Sequence, residues 1–260
     1  MLRRSTSVFA PRVHKVSVIR QRGDTALTRV CPPLPLDALR YPEEPCITQL
    51  PLSAAALIPS GVPGSKESIK PAPTKKKPSR LVSAAYMFED MHRALEEFRT
   101  ANGFGRAIAA PQLGYFARVI ALNIDGTAHT LINPHWTDKS EHRFTHWDDC
   151  FSFPGTLVRV SRWSSGAVKF VTPQGDMEEW MRVDSSTAEL LQHEMDHLDG
   201  RLSPDVAAPV AVPKGSALRS FIASGRVKAD ADGRISEVPR DVFDRCREAC
   251  LDLVSPRHHE

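Results

Sequence analysis

Residues 190–200 read LLQHEMDHLDG, with two histidines and a glutamate between leucines. His193 and His197 are four positions apart, so on a helix they share one face, and Glu194 follows the first of them. Two imidazoles at this spacing can bind one metal ion, and the carboxylate between them is placed to move the protons of a water molecule. A surface helix with incidental histidines is the alternative, but the flanking leucines favour a partly buried helix. The stretch therefore predicts a helix that carries a metal site.

A hydrolytic metal site needs a further protein ligand and a free position for water. Cys150 is the natural candidate, because it lies in a turn-forming segment that reads WDDCFSFPG over residues 147–155. Taken alone, a cysteine is more often a small core residue than a ligand. Cys246 and Cys250 are expected to form one side of a packed helix. An odd number of cysteines at irregular spacing does not indicate a disulfide framework, so a reducing compartment is favoured.

A loop of small residues reads GFGRAIAAPQ over residues 103–112. Small residues let the backbone approach a substrate closely, and Gln112 can donate a hydrogen bond to an oxyanion that develops during a reaction. Small-residue turns before strands are also common without such a role. The loop alone is therefore a weak indication of a binding site.

Apolar residues at three- and four-residue spacing predict a helix over about 83–100, which the Asn102-Gly103 pair ends. Short apolar or alternating segments follow, and Asp125-Gly126 between two of them predicts a hairpin. The expected strands cover residues 117–122, 129–133, 156–162, 167–171 and 177–183.

A second helix is expected to begin near Asp184, with Ser185 or Ser186 as its N-cap, and to continue through the metal motif to Gly200. Residues 240–254 are expected to form a C-terminal helix. The order of helix, antiparallel strands and helix predicts an α+β fold, with antiparallel sheets packed around a central helix that carries the metal motif.

The first 23 residues carry arginine, lysine and serine but no acidic residue. This composition is typical of a mitochondrial presequence, so residues 1–15 are expected to direct the protein to the mitochondrial matrix; a basic tail without an address is the alternative. Residues 33–80 are rich in proline without a sustained period and are interpreted as an insertion or linker. Residues 81–260 then form the metal hydrolase domain, with its C-terminal helix.

The overall composition, 41% hydrophobic and 25% charged, is that of an ordinary globular protein. No apolar run approaches the roughly 18 residues that a membrane-spanning helix needs, so no membrane span is expected. The net charge of +3 is too small to indicate a broad nucleic-acid-binding face, and no specific nucleic acid is expected as a partner.

Together, the segments resemble the three motifs of the peptide deformylase family: a Gly-x-Gly-Leu-Ala-Ala-x-Gln loop, a Glu-Gly-Cys-Leu-Ser turn and a His-Glu-x-x-His helix, in that order. The matching residues are Gly105–Gln112, Asp148–Ser152 and His193–His197. Weaker likeness at residues 22–27 and 131–134 places residues 16–32 as the N-terminal segment of the catalytic domain. Three motifs in order are far more specific than any one of them.

The resemblance implies an α+β protein that removes the formyl group from N-terminal formyl-methionine, with one divalent metal ion. Fe(II) is expected, with Zn, Ni or Co as alternatives. The ligands that it implies are Cys150, His193 and His197. It makes Glu194 the proton shuttle, and Gln112 and the backbone N–H of Phe151 the donors to the oxyanion. Arg162 is expected either to pair with Asp196 or to lie exposed on a strand.

The substrate side departs from the family pattern. The residues expected to line it are Gly105, Arg106, Ala107, Asp149 and Glu189. Glu189 and Ser186 share the helix face of His193, which places a carboxylate where a methionine side chain would bind and predicts slow turnover of formyl-methionine. The alternative is that Glu189 pairs with Arg106 and leaves an apolar pocket beside Leu190.

We therefore expect a mitochondrial peptide deformylase that processes the N-termini of newly made proteins, with N-formylated peptides as substrate and the mitochondrial ribosome as a further partner. The alternative is a deformylase-like protein with a retained metal site but altered or lost specificity, acting as a binding module or on another N-acyl group. An endopeptidase is less favoured, because it needs a further His or Glu ligand downstream of His197, where His258 and His259 are the only histidines.

Overall fold

Antiparallel strands and a few helices form the protein; the computed structural model describes residues 17–52 and 78–254. The helices are α1 (Asp37–Arg40), α2 (Ala84–Asn102), α3 (Ser185–Leu198), α4 (Leu218–Ala223), α5 (Arg240–Arg245) and α6 (Arg247–Leu251). The strands are β1 (Ile47–Gln49), β2 (Arg80–Val82), β3 (Ala107–Ala109), β4 (Val119–Ile124), β5 (Thr127–Lys139), β6 (Arg143–Asp149), β7 (Thr156–Trp163), β8 (Gly166–Val171), β9 (Met177–Val183), β10 (Val210–Ala211), β11 (Arg234–Ile235) and β12 (Glu237–Pro239).

Two larger sheets carry the architecture. One has the strand order β3-β4-β5-β8-β9, and the other has the order β12-β7-β6. Strands β1 and β2 pair with each other, as do β10 and β11. All pairs are antiparallel. The α+β fold predicted from the order of elements is therefore confirmed.

Helix α3 contacts β3 and β4 of the five-stranded sheet and β7 of the three-stranded sheet. Its apolar residues recur at helical spacing, and Ala188, Leu191, Met195 and Leu198 are buried with side chains of the larger sheet. The helix is thus held between the two sheets, and its polar residues at 193, 194 and 197 are buried as well. Burial of charged groups in such a place requires partners, and these define the site.

Helix α2 agrees with its prediction over about 83–100. Its N-cap is Ser83, whose side chain accepts a hydrogen bond from the backbone N–H of Tyr86. Its C-cap is Gly103 in the left-handed region at φ 75°, a conformation that glycine adopts without strain. Met87, Met91 and Leu95 are buried against the five-stranded sheet.

Two local predictions were wrong. The N-cap of α3 is Asp184, whose side chain accepts from the N–H of Thr187, and not Ser185 or Ser186. The aspartate is preferred because its carboxylate also interacts favourably with the positive end of the helix dipole. The predicted C-terminal helix is broken at Cys246, between α5 and α6. The Asp125-Gly126 hairpin between β4 and β5 is confirmed.

The N-terminal segment, residues 17–32, is hydrogen-bonded through its backbone to the rest of the fold. The backbone N–H groups of Arg20, Arg22 and Cys31 donate to the carbonyl oxygens of Gln112, Ser152 and Leu198, respectively. The Arg20 guanidinium is buried, pairs with Asp24 at 2.9 Å and donates to the carbonyl oxygens of Leu50 and Pro51. This segment therefore contacts the backbone around all three motifs.

The proline-rich stretch is described in part. Its early residues form α1 and β1, and Leu34, Ala38 and Ile47 belong to the core beside α2. These elements are too short to show a period in sequence. Residues 53–77 and the predicted presequence at residues 1–15 lie outside the described residues. In the described part of the chain, every helix is too short or too polar to cross a bilayer.

Candidate metal centre

Helix α3 places two imidazoles side by side. The Nε2 atoms of His193 and His197 are 3.2 Å apart, and both side chains are buried. The i and i+4 spacing read from the sequence therefore produces the expected convergence.

Cys150 follows the last residue of β6 directly, at the start of a tight turn. Its Sγ is 3.3 Å from Nε2 of His197, and it accepts a hydrogen bond from the N–H of Ser152 at 3.4 Å. The potential ligand atoms of Cys150, His193 and His197 all lie within 4.8 Å of one another. The end of β6 and one face of α3 thus bring the three predicted ligands together.

The donor set fits a single divalent ion. With metal–nitrogen bonds of about 2.0 Å and metal–sulfur bonds of about 2.3 Å, tetrahedral geometry separates two nitrogens by about 3.3 Å and a nitrogen from a sulfur by about 3.5 Å. The observed distances are close to these values: 3.2 Å between the Nε2 atoms of His193 and His197, and 3.3 Å between Cys150 Sγ and His197 Nε2. Soft thiolate and imidazole donors suit Zn, Fe, Co or Ni better than Mg or Ca. Three protein ligands leave a fourth position for water or substrate.

Asp148 orients the His193 ring through its Nδ1 atom. Its Oδ2 accepts from Nδ1 of His193 at 2.8 Å, from Ser203 Oγ at 3.1 Å and from Arg162 at 3.4 Å. Arg162 also donates to Asp196 at 2.5 Å, which confirms the expected pair. A carboxylate on Nδ1 fixes the ring orientation and leaves Nε2 for a metal ion.

The charges in this buried cluster shift one another's pKa values. Burial disfavours a charged His193, but Asp148 and Cys150 outweigh it and raise the pKa of His193 well above its usual value. Burial and the neighbouring His193 lower the pKa of His197. Burial would raise the pKa of Asp148, but His193 and Arg162 hold it low. The carboxylate is therefore an anion within the cluster.

Glu194 is 3% exposed, and its Oε2 has no hydrogen-bond partner among the described residues. Burial raises the pKa of this carboxyl to about 7. A carboxyl whose pKa lies near neutrality can both accept and return a proton under physiological conditions. The geometry and the pKa both suit the predicted proton shuttle.

Gln112 is fixed by its own loop. Its Oε1 accepts from the N–H of Ala109 at 2.8 Å, and its Nε2 donates to Ser152 Oγ at 3.2 Å, beside the sulfur of Cys150. The N–H of Phe151 has no acceptor in the part of the chain that the structure describes. Both groups are therefore donors next to the potential ligands, as the predicted oxyanion site requires.

A cleft of about 470 Å³ opens beside the centre. The predicted substrate residues that line it are Gly105, Arg106, Ala107, Asp149 and Glu189. Gly105 has φ +119°, and a Cβ there would meet the Phe151 ring at 2.7 Å. That ring stacks on Phe98 at 3.7 Å between centroids and closes one side of the cleft. Asp149 pairs with Arg240.

Two expectations about the cleft need correction or addition. Ser186 was expected to face it, but its hydroxyl accepts from Arg106 at 2.8 Å and it lies at a neighbouring hollow. His146 was missed, although it lines the cleft. The alternation of β6 could have revealed it, because His146 and Asp148 are two residues apart and share the inner face of the strand.

The endopeptidase interpretation needs a ligand downstream of His197. His258 and His259 lie outside the described residues, whereas Cys150 supplies the converging donor from upstream. The observed cluster therefore gives no support to that interpretation.

Comparisons with known proteins agree with this geometry. The sequence profile of the polypeptide deformylase family matches residues 68–211. The peptide deformylase of Natranaerobius thermophilus is 38% identical over 107 residues, which are 41% of this chain and 67% of that protein. The actinonin-bound crystal structure of a class I type b peptide deformylase from Acinetobacter baumannii superposes with a TM-score of 0.51 at 23% identity, covering 75% of this chain and 100% of that one. A probable peptide deformylase from Synechococcus phage S-SSM7 gives a TM-score of 0.51 at 23% identity, covering 73% and 99%. At these identities the two structures support the fold alone.

Proposed function

The chain belongs to the polypeptide deformylase family and is a peptide deformylase, and we propose that it uses one divalent metal ion to remove the formyl group from N-terminal formyl-methionine. The observation that carries the proposal is the convergence of one thiol and two imidazoles beside the buried carboxyl of Glu194, whose Oε2 has no hydrogen-bond partner among the described residues. Such a set is suited to hydrolysis of an amide bond.

Cys150, His193 and His197 would hold the ion, and Fe(II) is the metal that we propose. The bound ion supplies a Lewis acid, which lowers the pKa of water and polarises a carbonyl oxygen. Asp148 and Arg162 keep His193 oriented, since its Nδ1 is fully engaged at 2.8 Å. A site fixed in this way needs no rearrangement when the ligand set is completed.

Glu194 carries the proton in the proposed reaction. The oxygen of water forms a bond to the formyl carbon, the bond from that carbon to nitrogen breaks, and formate and a free α-amine leave. Glu194 takes a proton from the water and gives it to the departing nitrogen, so that its protonation state is restored. Its pKa of about 7 supports both steps near neutral pH.

The developing negative charge on the formyl oxygen would be met by two donors. The Phe151 N–H comes from the cysteine turn, and the Gln112 amide comes from the loop before β4. Because Gln112 Oε1 is held by the Ala109 N–H, its Nε2 must face the cysteine side. Donors fixed in advance stabilise an oxyanion more than mobile ones do.

We also propose that the enzyme acts in the mitochondrial matrix and meets its substrates near the mitochondrial ribosome. The support is the acid-free, arginine-bearing composition of residues 1–15. Imaging of the full-length chain against a variant that begins at residue 16 tests this, and a cytosolic full-length protein would contradict it.

Formate release tests the activity. The metal-free protein is reconstituted without oxygen with Fe(II), Zn, Ni or Co and assayed on a formyl-methionyl tripeptide. We expect turnover with at least one ion and none after chelation. Absence of formate with every ion, in protein shown to be folded and metal-loaded, would rule the proposal out.

A further inference from the structure

Three charged or titratable side chains form part of the cleft wall. Arg106 extends from the glycine loop, His146 from β6 and Glu189 from α3, and all three line the same cleft as Glu194 and His193. Glu189 lies one helical turn before His193 on the same face. A substrate whose formyl group is at the centre therefore places the side chain of its first residue against this wall.

The three side chains are already paired with one another. Arg106 donates to Oε1 of Glu189 at 2.7 Å, and Nε2 of His146 lies 2.8 Å from Oε2 of the same carboxylate. Arg106 is further anchored on the carbonyl and hydroxyl oxygens of Ser186, at 3.1 and 2.8 Å. Burial would raise the pKa of Glu189, but His146 and Arg106 hold it below its usual value, so the carboxylate is charged. Both of its oxygens are engaged.

Unmet hydrogen-bonding capacity remains on the donor side of this wall. His146 is 7% exposed; its Nε2 lies against Glu189, and its Nδ1 has no hydrogen-bond partner within the described residues. Arg106 makes three of the five hydrogen bonds that a guanidinium can donate, one to Glu189 and two to Ser186. The Arg106 side chain is 42% exposed, so its remaining N–H groups are open to the cleft, and an acceptor oxygen from a ligand would replace water there without loss of a hydrogen bond.

Three classes of side chain fit this wall poorly. An unmodified methionine or another apolar group would remove water from the ion network without replacing its hydrogen bonds. A cationic side chain would meet a carboxylate that is fully engaged, beside the Arg106 guanidinium. An anionic side chain would lie against Glu189, with Asp149 and Glu194 on the same cleft.

We propose that this cleft selects N-formyl peptides whose first side chain is neutral, about as long as methionine and tipped with an acceptor oxygen, as in glutamine or methionine sulfoxide. The inference rests on the proposed deformylase function and concerns its substrate. Among formyl-methionine termini, the sulfur-oxidised form alone carries such an oxygen. Arg106, His146 and Glu189 are then the residues that determine specificity.

The test is a panel of formyl-X-Ala-Ala peptides in which X is methionine, methionine sulfoxide, glutamine, norleucine, lysine or glutamate. Turnover is measured as kcat/KM on the metal-loaded protein, and binding is measured by calorimetry on metal-loaded Glu194→Gln protein. We expect methionine sulfoxide and glutamine to exceed methionine and norleucine at least tenfold in both measurements. Equal or better performance of methionine, norleucine, lysine or glutamate overturns the inference.

Double substitutions test whether Arg106 and Glu189 determine the peptide preference. Arg106→Leu with Glu189→Leu removes both members of the ion pair, and the preference should reverse toward methionine. The control is Asp244→Leu with Arg247→Leu, which removes a pair 3.1 Å long on exposed C-terminal helices and should leave the order of peptides unchanged. A preference that persists in the first double variant contradicts the assignment of these residues.

Peptide affinities, measured apart from hydrolysis, distinguish a failure of the specificity proposal from a failure of the proposed function. If no peptide is hydrolysed but the order of affinities is as expected, the deformylase function fails and the specificity of the cleft stands. If formyl-methionine is hydrolysed and bound at least as well as the oxygen-tipped peptides, the function stands and the specificity fails.

Discussion

Oδ2 of Asp148 lies 2.8 Å from Nδ1 of His193 and fixes which ring nitrogen of that histidine faces Cys150. The same oxygen accepts from Arg162 and Ser203, so the carboxylate is held from three directions. Asp148 is two residues before Cys150, and its hydrogen bond with His193 joins strand β6 to helix α3. The orientation of the His193 ring thus depends on a residue that is not itself one of the three potential ligands of this centre.

Asp148→Asn should weaken metal binding by roughly 10- to 100-fold, because an amide holds the imidazole less firmly in the metal-binding tautomer. Titration with Zn or Co in competition with a chelator measures this. Asp148→Glu should restore part of the affinity if its longer carboxylate reaches Nδ1. Equal affinities for the parent and the asparagine variant would show that Asp148 does not position His193.

Cys150→Ser should lower metal affinity by about 100-fold or more, since a neutral hydroxyl replaces a thiolate donor. Metal content after dialysis and the loss of the thiolate-to-Co(II) absorption band give two measurements. Cys31→Ser is the matched control, because Cys31 is also buried but has its Sγ near a backbone carbonyl and not near a histidine. Retention of the band in the Cys150 variant would exclude this ligand.

Glu194→Gln should keep the metal and lose about 10²- to 10⁴-fold in turnover, because the amide fills the same space but cannot accept a proton. Formate release and metal content are measured on the same preparation. Turnover within a few-fold of the parent would remove Glu194 from the proton-transfer step.

The same substitution should change the pH dependence of stability in the metal-free protein. The pKa of Glu194 is about 7 in the fold and near 4.5 when unfolded, so the folded state binds more protons between these values and loses stability as pH rises through them. Glu194→Gln removes this loss and should gain in melting temperature over the parent at pH 8, but much less at pH 4.5. An equal difference at both pH values would contradict the raised pKa.

Gly114→Ala should destabilise the protein far more than Gly126→Ala. Both glycines have positive φ, +82° and +84°, so both substitutions strain the backbone by about 1–2 kcal/mol. At Gly114 the new Cβ also meets the Arg20 guanidinium, whereas at Gly126 nothing lies within 4 Å. Displacing that buried ion pair should add about 3 kcal/mol or more. Denaturant unfolding compares the two variants, and similar losses in the free energy of unfolding would show that the contacts of Arg20 do not stabilise the fold.

The potential ligands were predictable because each depends on local rules. The i and i+4 spacing of His193 and His197 fixes a shared helix face, and the turn at Cys150 is marked by its neighbours. What the sequence could not give is the distance between that turn and that helix. This distance follows from the pairing of β6 with β7 and the contact of β7 with α3.

Other features escaped because tertiary packing decides them. His146 was not recognised as part of the cleft, since its role depends on Glu189, which is remote in sequence. The break at Cys246 follows no glycine or proline and was invisible in the apolar pattern of residues 240–254. The pairing of Glu189 with Arg106 had been foreseen as an alternative, but the polar wall that the pair forms with His146 had not.

The backbone bonds from Arg20, Arg22 and Cys31 to the three motifs also set an order of events. They join positions roughly 90 to 170 residues apart, and contacts of such long range form late because the loops they close must be ordered first. A chain still emerging from a ribosome lacks helix α3 while its N-terminal segment is already present. The three potential ligands therefore meet only after helix α3 has left the ribosome, so a metal ion at this centre would be bound after most of the chain has been made.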